Sequence, residues 1–537
     1  MKRFARYLPT FAALWITLLA AAKPPKLVVN IVVGSMRAGD IERYADGFGE
    51  GGFKRLLSGA VYAAGEYDFM QSSSPVTLAT LSTGAMPSTH GVVTDYWFDY
   101  VDNRRVNLIE DRRYSGFGYP DSGGRISPVN LTAPTAGDAL TAAWPDSRVV
   151  TVALEPQSAV VMGGLRGVCY WMEPSRAMWS SSTYYMLNLP HWVDDYNRER
   201  YGMSLISGSW SLSRRPALYK NRRRAVVELP KPGRDGEPVL RTVGIKGAAD
   251  TQTAYDMLRL SPAGNDAVLD FAKRLLTKYS LGADAVPDML NIVLDASRMV
   301  VESYGPESVE AEDMYYRLDD SLSDFLTYLF AQVSPEDVLV VLTAAHGSSP
   351  SYDVHPTPAE RVNMRQAEVI VNGFLNARHG QGEWVTSVHD RSIWLNRNLI
   401  FSKGLNPADI QEEVATFTMQ LRGVSHALSS AALRNGGFGT GYGRMMQNGF
   451  YPRRSGDVVL NLMPGCIEER DDRRSESGSM YGYDTRVPLI FYGHGISRSR
   501  HARHADMTSV APTIASVLGI LPPEACEGHV LEEILKK

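Results

Sequence analysis

The residue types that could carry chemistry occur here in short runs. Gly436-Gly437-Phe438-Gly439-Thr440-Gly441 has enough glycine to wrap a phosphate. A phosphate-cradling loop directly follows a strand and opens a helix, and this run does neither clearly. Arg222-Arg223-Arg224 could face an anion, but a run of like charge is ordinarily a solvated loop. Cys169, Cys466 and Cys526 match no zinc spacing, and their odd number leaves at least one thiol free. They read as core or incidental residues. Trp171, Trp179, Trp192 and Tyr184-Tyr185 could form a contact surface or the interior of a cap.

The elements that must position such residues are legible as apolar runs. Lys26 to Val33, Arg148 to Leu154, Leu290 to Leu294, Asp337 to Thr343, Asp457 to Leu462 and Val487 to Tyr492 are rich in Val, Ile and Leu without alternation. Strands covered on both faces have that pattern. Asp266 to Tyr279 and Ala311 to Gln332 carry apolar residues at helical spacing. Strands separated by helices predict an α/β fold with helices on both faces of a mostly parallel sheet. Two long intervals, about 164–247 and 348–454, are read as insertions, one of them cap-like, in a single domain spanning 23–537.

The chain has 537 residues, 44% hydrophobic and 21% charged, which excludes a disordered or fibrous protein. A formal net charge of −4 gives no reason to expect a nucleic-acid partner. Lys2, Arg3 and Arg6, an apolar stretch from Leu8 to Leu19, and Ala20-Ala21-Ala22 compose a secretory signal over 1–22. The apolar stretch is short for a membrane span, and none is expected elsewhere. Export, to the periplasm of a Gram-negative bacterium or beyond, is the expectation.

Several phrases occur in order along the chain. They are Gly49-Glu50-Gly51-Gly52-Phe53-Lys54-Arg55-Leu56-Leu57, Ser82-Thr83-Gly84-Ala85-Met86-Pro87-Ser88-Thr89-His90-Gly91 and Tyr304-Gly305-Pro306-Glu307-Ser308. Later come Arg454-Ser455-Gly456-Asp457-Val458, Tyr483-Asp484-Thr485-Arg486-Val487-Pro488 and Ala511-Pro512-Thr513-Ile514-Ala515. Together they resemble the alkaline phosphatase superfamily, in particular bacterial periplasmic phosphate-monoesterases of the type I phosphodiesterase/nucleotide pyrophosphatase group. The resemblance implies an alkaline-phosphatase-like sandwich. In active members it also implies two zinc ions clamping an in-line phosphoryl displacement by a Thr or Ser.

Carried over residue by residue, the resemblance places the nucleophile at Ser74, ten residues before Gly84. The Asp that ends the first strand becomes Gly34. The Asp and His of the second zinc, four apart before Gly305-Pro306, become Arg298 and Glu302. The Asp-His pair after the strand Val338 to Thr343 becomes Ala345-His346. The last His becomes Ser477. Five of six expected ligands are thus replaced, leaving His346. Arg298 stays protonated and would repel a metal ion. The phosphate-binding Lys-x-Arg becomes Glu155-Pro156-Gln157, and the phosphate-contacting Asn becomes Asp95; two new carboxylates there repel phosphate.

These changes lead to the expectation of an exported pseudoenzyme with no metal cofactor. It would bind another protein, or an anionic or glycan-like ligand, in the cell envelope. Arg298 is expected to occupy the missing metal's place and to form an ion-pair network with Glu302, Glu155 and Asp95. The alternative is a phosphate or sulfate ester hydrolase with Ser74 as nucleophile and an altered metal site. A metal-independent esterase using Ser74 and His346 is a weaker third reading.

Overall fold

The computed structural model describes residues 23–120, 123–199, 210–221, 251–352, 360–470 and 473–536. The signal sequence and the Arg222-Arg223-Arg224 run lie outside them.

The strands in chain order are β1 Leu27–Ser35, β2 Ala60–Glu66, β3 Tyr96–Asp99, β4 Arg104–Asn107, β5 Val149–Ala153, β6 Val168–Glu173, β7 Met178–Ser180, β8 Asp288–Leu294 and β9 Val338–His346. Then follow β10 Arg361–Val362, β11 Val385–His389, β12 Ser392–Leu395, β13 Val424–Ser429, β14 Val458–Leu462, β15 Ile467–Glu468, β16 Arg486–Gly493 and β17 Ser499–Asp506. Nine form the central sheet, in the order β17-β2-β16-β9-β1-β8-β5-β6-β7. The run from β9 to β6 is parallel, whereas β16 is antiparallel to both neighbours and β7 is antiparallel to β6.

Every residue of β1, β5, β8 and β9 is buried. Their unalternating Val, Ile and Leu are therefore the requirement of a sheet covered on both faces. Burying each such side chain contributes about 1.5–3 kcal/mol. The expected helices are present as Pro262–Lys278 and Val309–Gln332. The second is capped by Ser308, whose hydroxyl accepts from the Ala311 N–H at 3.0 Å.

Two details differ from the sequence expectation. The run Asp457 to Leu462 does not join the central sheet. It becomes β14, in a separate sheet of order β11-β12-β14-β13 with its own apolar core around Trp384, Ile393 and Leu460. The interval 164–247 opens with β6 and β7, which extend the central sheet rather than leave it. Trp171 and Trp179 are accordingly buried in the main core, Trp179 stacked on Phe271 with ring centroids 4.2 Å apart. All three cysteines are free, Cys169 and Cys466 buried. Among the described residues, no helix is long and apolar enough to cross a membrane.

Candidate functional site

In an open parallel sheet, ligands bind outside the carboxyl ends of the strands. That is where this chain assembles its candidate site. β1 ends at Gly34-Ser35 and β9 at Ala345-His346, with Ser35 and His346 paired in register. β8 leads into the helix Ala296–Tyr304, which carries Arg298 and Glu302, and β5 leads into the helix Pro156–Gly163, which carries Gln157. Ser74 opens the helix Ser74–Thr83, which Gly84 ends at φ 71°; a Cβ there would lie 2.6 Å from the Cys526 sulfur.

A cavity of about 340 Å³ gathers these positions: Ser74, Asp95, Glu155, Gln157, Arg298, Glu302 and Ser477 all line it. His346 lies fully buried behind Ser74. The positions that the resemblance singles out therefore gather around one cavity.

Arg298 and Glu302 stand one helical turn apart and pair at 3.2 Å, with side chains 15% and 6% exposed. Arg473 approaches the same Glu302 oxygen at 3.5 Å. Burial pushes the Glu302 carboxyl up, but Arg473 and then Arg298 outweigh it and hold the group below the usual carboxylate range. Burial likewise opposes the Arg298 charge, and Glu302 and Glu155 restore it. Arg298 Nε has no hydrogen-bond partner.

Gly34 cannot regain a ligand without movement. A Cβ there would lie 2.9 Å from the Leu294 carbonyl oxygen and 3.1 Å from the Arg298 Cβ. The cause is local: Val33 pairs with Leu294, so the helix leaving β8 starts against the end of β1.

Asp295 is committed elsewhere. It accepts from the Leu154 and Glu155 N–H groups at 3.0 Å each and from the Ser158 hydroxyl at 2.7 Å. Burial, reinforced by Glu155, raises it to about 6.

His346 Nδ1 lies 2.6 Å from the Gly347 carbonyl oxygen. A carbonyl only accepts, so Nδ1 carries the proton and Nε2 is the acceptor. Ser74 Oγ donates to that Nε2 at 3.0 Å. Burial lowers the imidazole to about 4, so it is neutral near pH 7.

The expected network is corrected at two positions. Asp95 does not pair with Arg298; its Oδ1 accepts from His389 Nε2 at 2.7 Å, and His389 stacks on Tyr96 with centroids 3.4 Å apart. Burial would raise Asp95, but the His389 hydrogen bond and charge hold it low. Glu155 makes its closest ion pair with Arg259, at 3.7 Å, and accepts from the Tyr255 hydroxyl at 3.3 Å. It acts on Arg298 through its charge alone.

Sequence reasoning missed His389, Asp390, Arg259, Arg470, Arg473 and Glu476 on the cavity wall. The charge-dense run 468–474 and the turn between β11 and β12 were the available signals. That turn places Asp390 and Arg391 at φ 44° and 59°, and Gln71 Nε2 donates to the Asp390 carbonyl at 2.8 Å. Arg391 is buried and pairs with Glu476 at 3.0 Å; its Nη2 also donates to the Ser477 carbonyl at 3.1 Å. The tip of the small sheet thereby forms a wall of the cavity.

The donor set does not fit two zinc ions. Gly34 and Ala345 offer no side-chain ligand, and Ser477 offers only a hydroxyl. Arg298 puts a fixed cation beside Glu302. Both His346 nitrogens are engaged. Among the described residues, no three His, Cys, Asp or Glu side chains converge to hold an ion.

A mostly parallel sheet with a site at the ends of β1, β5, β8 and β9 defines the alkaline phosphatase fold class. The family model of type I phosphodiesterase / nucleotide pyrophosphatase matches residues 28–467, and the chain belongs to that family. Alkaline phosphatase PafA of Elizabethkingia meningoseptica is 27% identical over 523 residues, 96% of this chain and 95% of that protein. Alkaline phosphatase PhoV of Synechococcus elongatus is 27% identical over 532 residues, 95% of this chain and 93% of that protein. The crystal structure of wild-type PafA superposes with a TM-score of 0.89 over 96% of this chain and 99% of its own.

Proposed function

We propose that this chain is an exported, metal-free member of its family that does not hydrolyse phosphate esters and acts by binding in the cell envelope. The observation that carries this reading is the buried Arg298–Glu302 pair, 3.2 Å apart, at the two positions where the resemblance puts the Asp and His of the second zinc. A metal ion there would have to displace or face a guanidinium that cannot lose its proton. Glu155 and Gln157, in place of the phosphate-binding cations, and Asp95, in place of the amide, act in the same sense. The export half rests on the sequence of residues 1–22.

The test is zinc stoichiometry by atomic emission on the mature protein, with turnover of aryl phosphate mono- and diesters measured on the same preparation. A folded protein with no stoichiometric zinc and no turnover is expected. Stoichiometric zinc with turnover that Ser74→Ala abolishes overturns the reading. N-terminal mass analysis of the exported protein checks cleavage after Ala22.

A second reading has one observation in its favour. The Ser74–His346 hydrogen bond, with its tautomer set by Gly347, is the start of a nucleophile–base pair. Against it, a base lowered to about 4 takes up a proton poorly near pH 7, and Nδ1 is oriented by a carbonyl rather than a carboxylate. Metal-independent hydrolysis of carboxylic esters lost in both Ser74→Ala and His346→Gln would establish it.

A further inference from the structure

The dipeptide Asn-Gly occurs three times, as Asn372-Gly373, Asn435-Gly436 and Asn448-Gly449. An asparagine followed by glycine can react with its own backbone, because no Cβ shields the next nitrogen. The reaction requires the side-chain amide carbon to come onto that nitrogen. Hydrogen bonds that hold the amide elsewhere, or that hold the nitrogen inside a helix, oppose it. The fold treats the three positions differently.

Asn372 is held in the interior of the helix Met364–His379. Its Oδ1 accepts from the Trp384 and Val385 N–H groups at 2.8 and 3.1 Å, and its Nδ2 donates to the Glu368 carbonyl at 3.2 Å. Asn448 ends the helix Gly441–Asn448, and its Nδ2 donates to the Asp68 carbonyl at 2.7 Å. Gly449 is buried, and its N–H donates to the Met445 carbonyl at 3.1 Å.

Asn435 is the exposed last residue of the six-residue helix Ser430–Asn435. Among the described residues its side chain makes no hydrogen bond. The Gly436 N–H donates to the Ala432 carbonyl at 2.7 Å, but this is the last bond of a short helix, and helix ends open at little cost. Gln447 Nε2 donates to the Gly436 carbonyl at 2.6 Å and does not engage the nitrogen. Beyond lies the glycine-rich run, where a Cβ added at Gly437, Gly439 or Gly441 would meet nothing within 4 Å. The chain there is unpacked and yields to the rotation that the reaction needs.

We infer that Asn435 is a site of spontaneous deamidation, with water as the co-reactant, and that the fold protects Asn372 and Asn448 from the same reaction. The Gly436 nitrogen gives its proton to solvent base and bonds to the Asn435 Cγ. The amide nitrogen leaves as ammonia, and a succinimide ring remains. Water then opens the ring at either carbonyl, giving an aspartate or an isoaspartate at position 435. One amide and one water become one acid and one ammonia, with nothing oxidised or reduced. The new carboxylate stands at the C-terminal end of its helix, where the dipole opposes negative charge. The inference is independent of how the cavity is read.

Warm storage of the full mature protein at pH 8, with tryptic peptide mass analysis of timed samples, tests it. The three dipeptides fall in different peptides, 366–378, 435–444 and 445–453. Protein digested before storage gives the background from the digestion itself. Conversion to the acid is expected to run at least about tenfold faster at Asn435 than at Asn372 or Asn448, whose amides must first give up their hydrogen bonds. In urea the three rates should draw together, because the fold then protects none of them. Asn435→Gln, whose longer side chain closes a ring far more slowly, should remove the acid from its peptide. The inference is overturned if Asn435 stays intact in the folded protein, if Asn372 or Asn448 converts as fast, if the same order of rates persists in urea, or if the acid persists in Asn435→Gln.

Discussion

Arg298 and Glu302 form a buried ion pair along one helical turn, and Arg473 approaches the same carboxylate oxygen at 3.5 Å. Removing one partner of a buried pair leaves an uncompensated charge and costs about 3–5 kcal/mol. Arg473 remains beside Glu302, so Arg298→Ala is expected to destabilise by less, about 2–3 kcal/mol. Denaturant unfolding measures this. The double variant Arg298→Met/Glu302→Leu should recover part of the loss, because it removes both charges. An unchanged midpoint for Arg298→Ala defeats the idea that this pair holds the site together.

Gly34→Asp, the simplest attempt to restore a ligand, is expected to fail twice. The new Cβ meets the Leu294 carbonyl oxygen at 2.9 Å, so the variant loses about 1–3 kcal/mol to strain. Its zinc content should equal that of the parent. A stable variant that takes up one zinc per chain would contradict the geometry.

The buried His346 makes stability depend on pH in a known direction. Its folded value is lowered to about 4, so its contribution is present above the unfolded value of about 6.5 and is lost as pH falls through about 4. The stability gap between parent and His346→Gln should therefore shrink by about 3 kcal/mol between pH 7 and pH 4. Asp484, raised to about 7 by burial, contributes with the opposite sign, losing its share as pH rises through about 7. It is present in both proteins and cancels in the difference. A gap that does not change with pH would refute the assignment.

The cysteines should be silent. None forms a disulfide, and burial raises Cys169 to about 12 and also raises Cys466 and Cys526. Reductant should leave the Tm unchanged, and a thiol reagent at pH 8 should label Cys526 first and the other two only after unfolding.

The positions of the site were legible in the sequence because the phrases around them keep the spacing of the family they resemble. Ser74, Glu302 and Ser477 line one cavity, with His346 directly behind Ser74, because the strands and turns that carry them bring them together. The pairing of the new charges was not legible. Glu155 found Arg259 and Asp95 found His389, partners supplied by segments far away in sequence. The strands were readable where both faces are buried, as in β1 and β9. They were not readable in β17, an edge strand of sequence Ser499-Arg500-His501-Ala502-Arg503-His504, whose polar side chains face solvent. Such composition protects an open sheet edge rather than marking a core. β14 misled because a strand in the core of a small second sheet has the same apolar character as one in the large sheet.

The contact between Gly34 and the start of the Arg298 helix also bears on how this chain can evolve. Backbone and a neighbouring Cβ occupy the space that a side chain at 34 would need. A single reversion at either position meets an obstacle set by the other: an aspartate at 34 is blocked sterically, and an aspartate at 298 exposes Glu302 to a like charge one turn away. The two positions therefore constrain each other, and a change of one alone is opposed by the packing or the charge at the other.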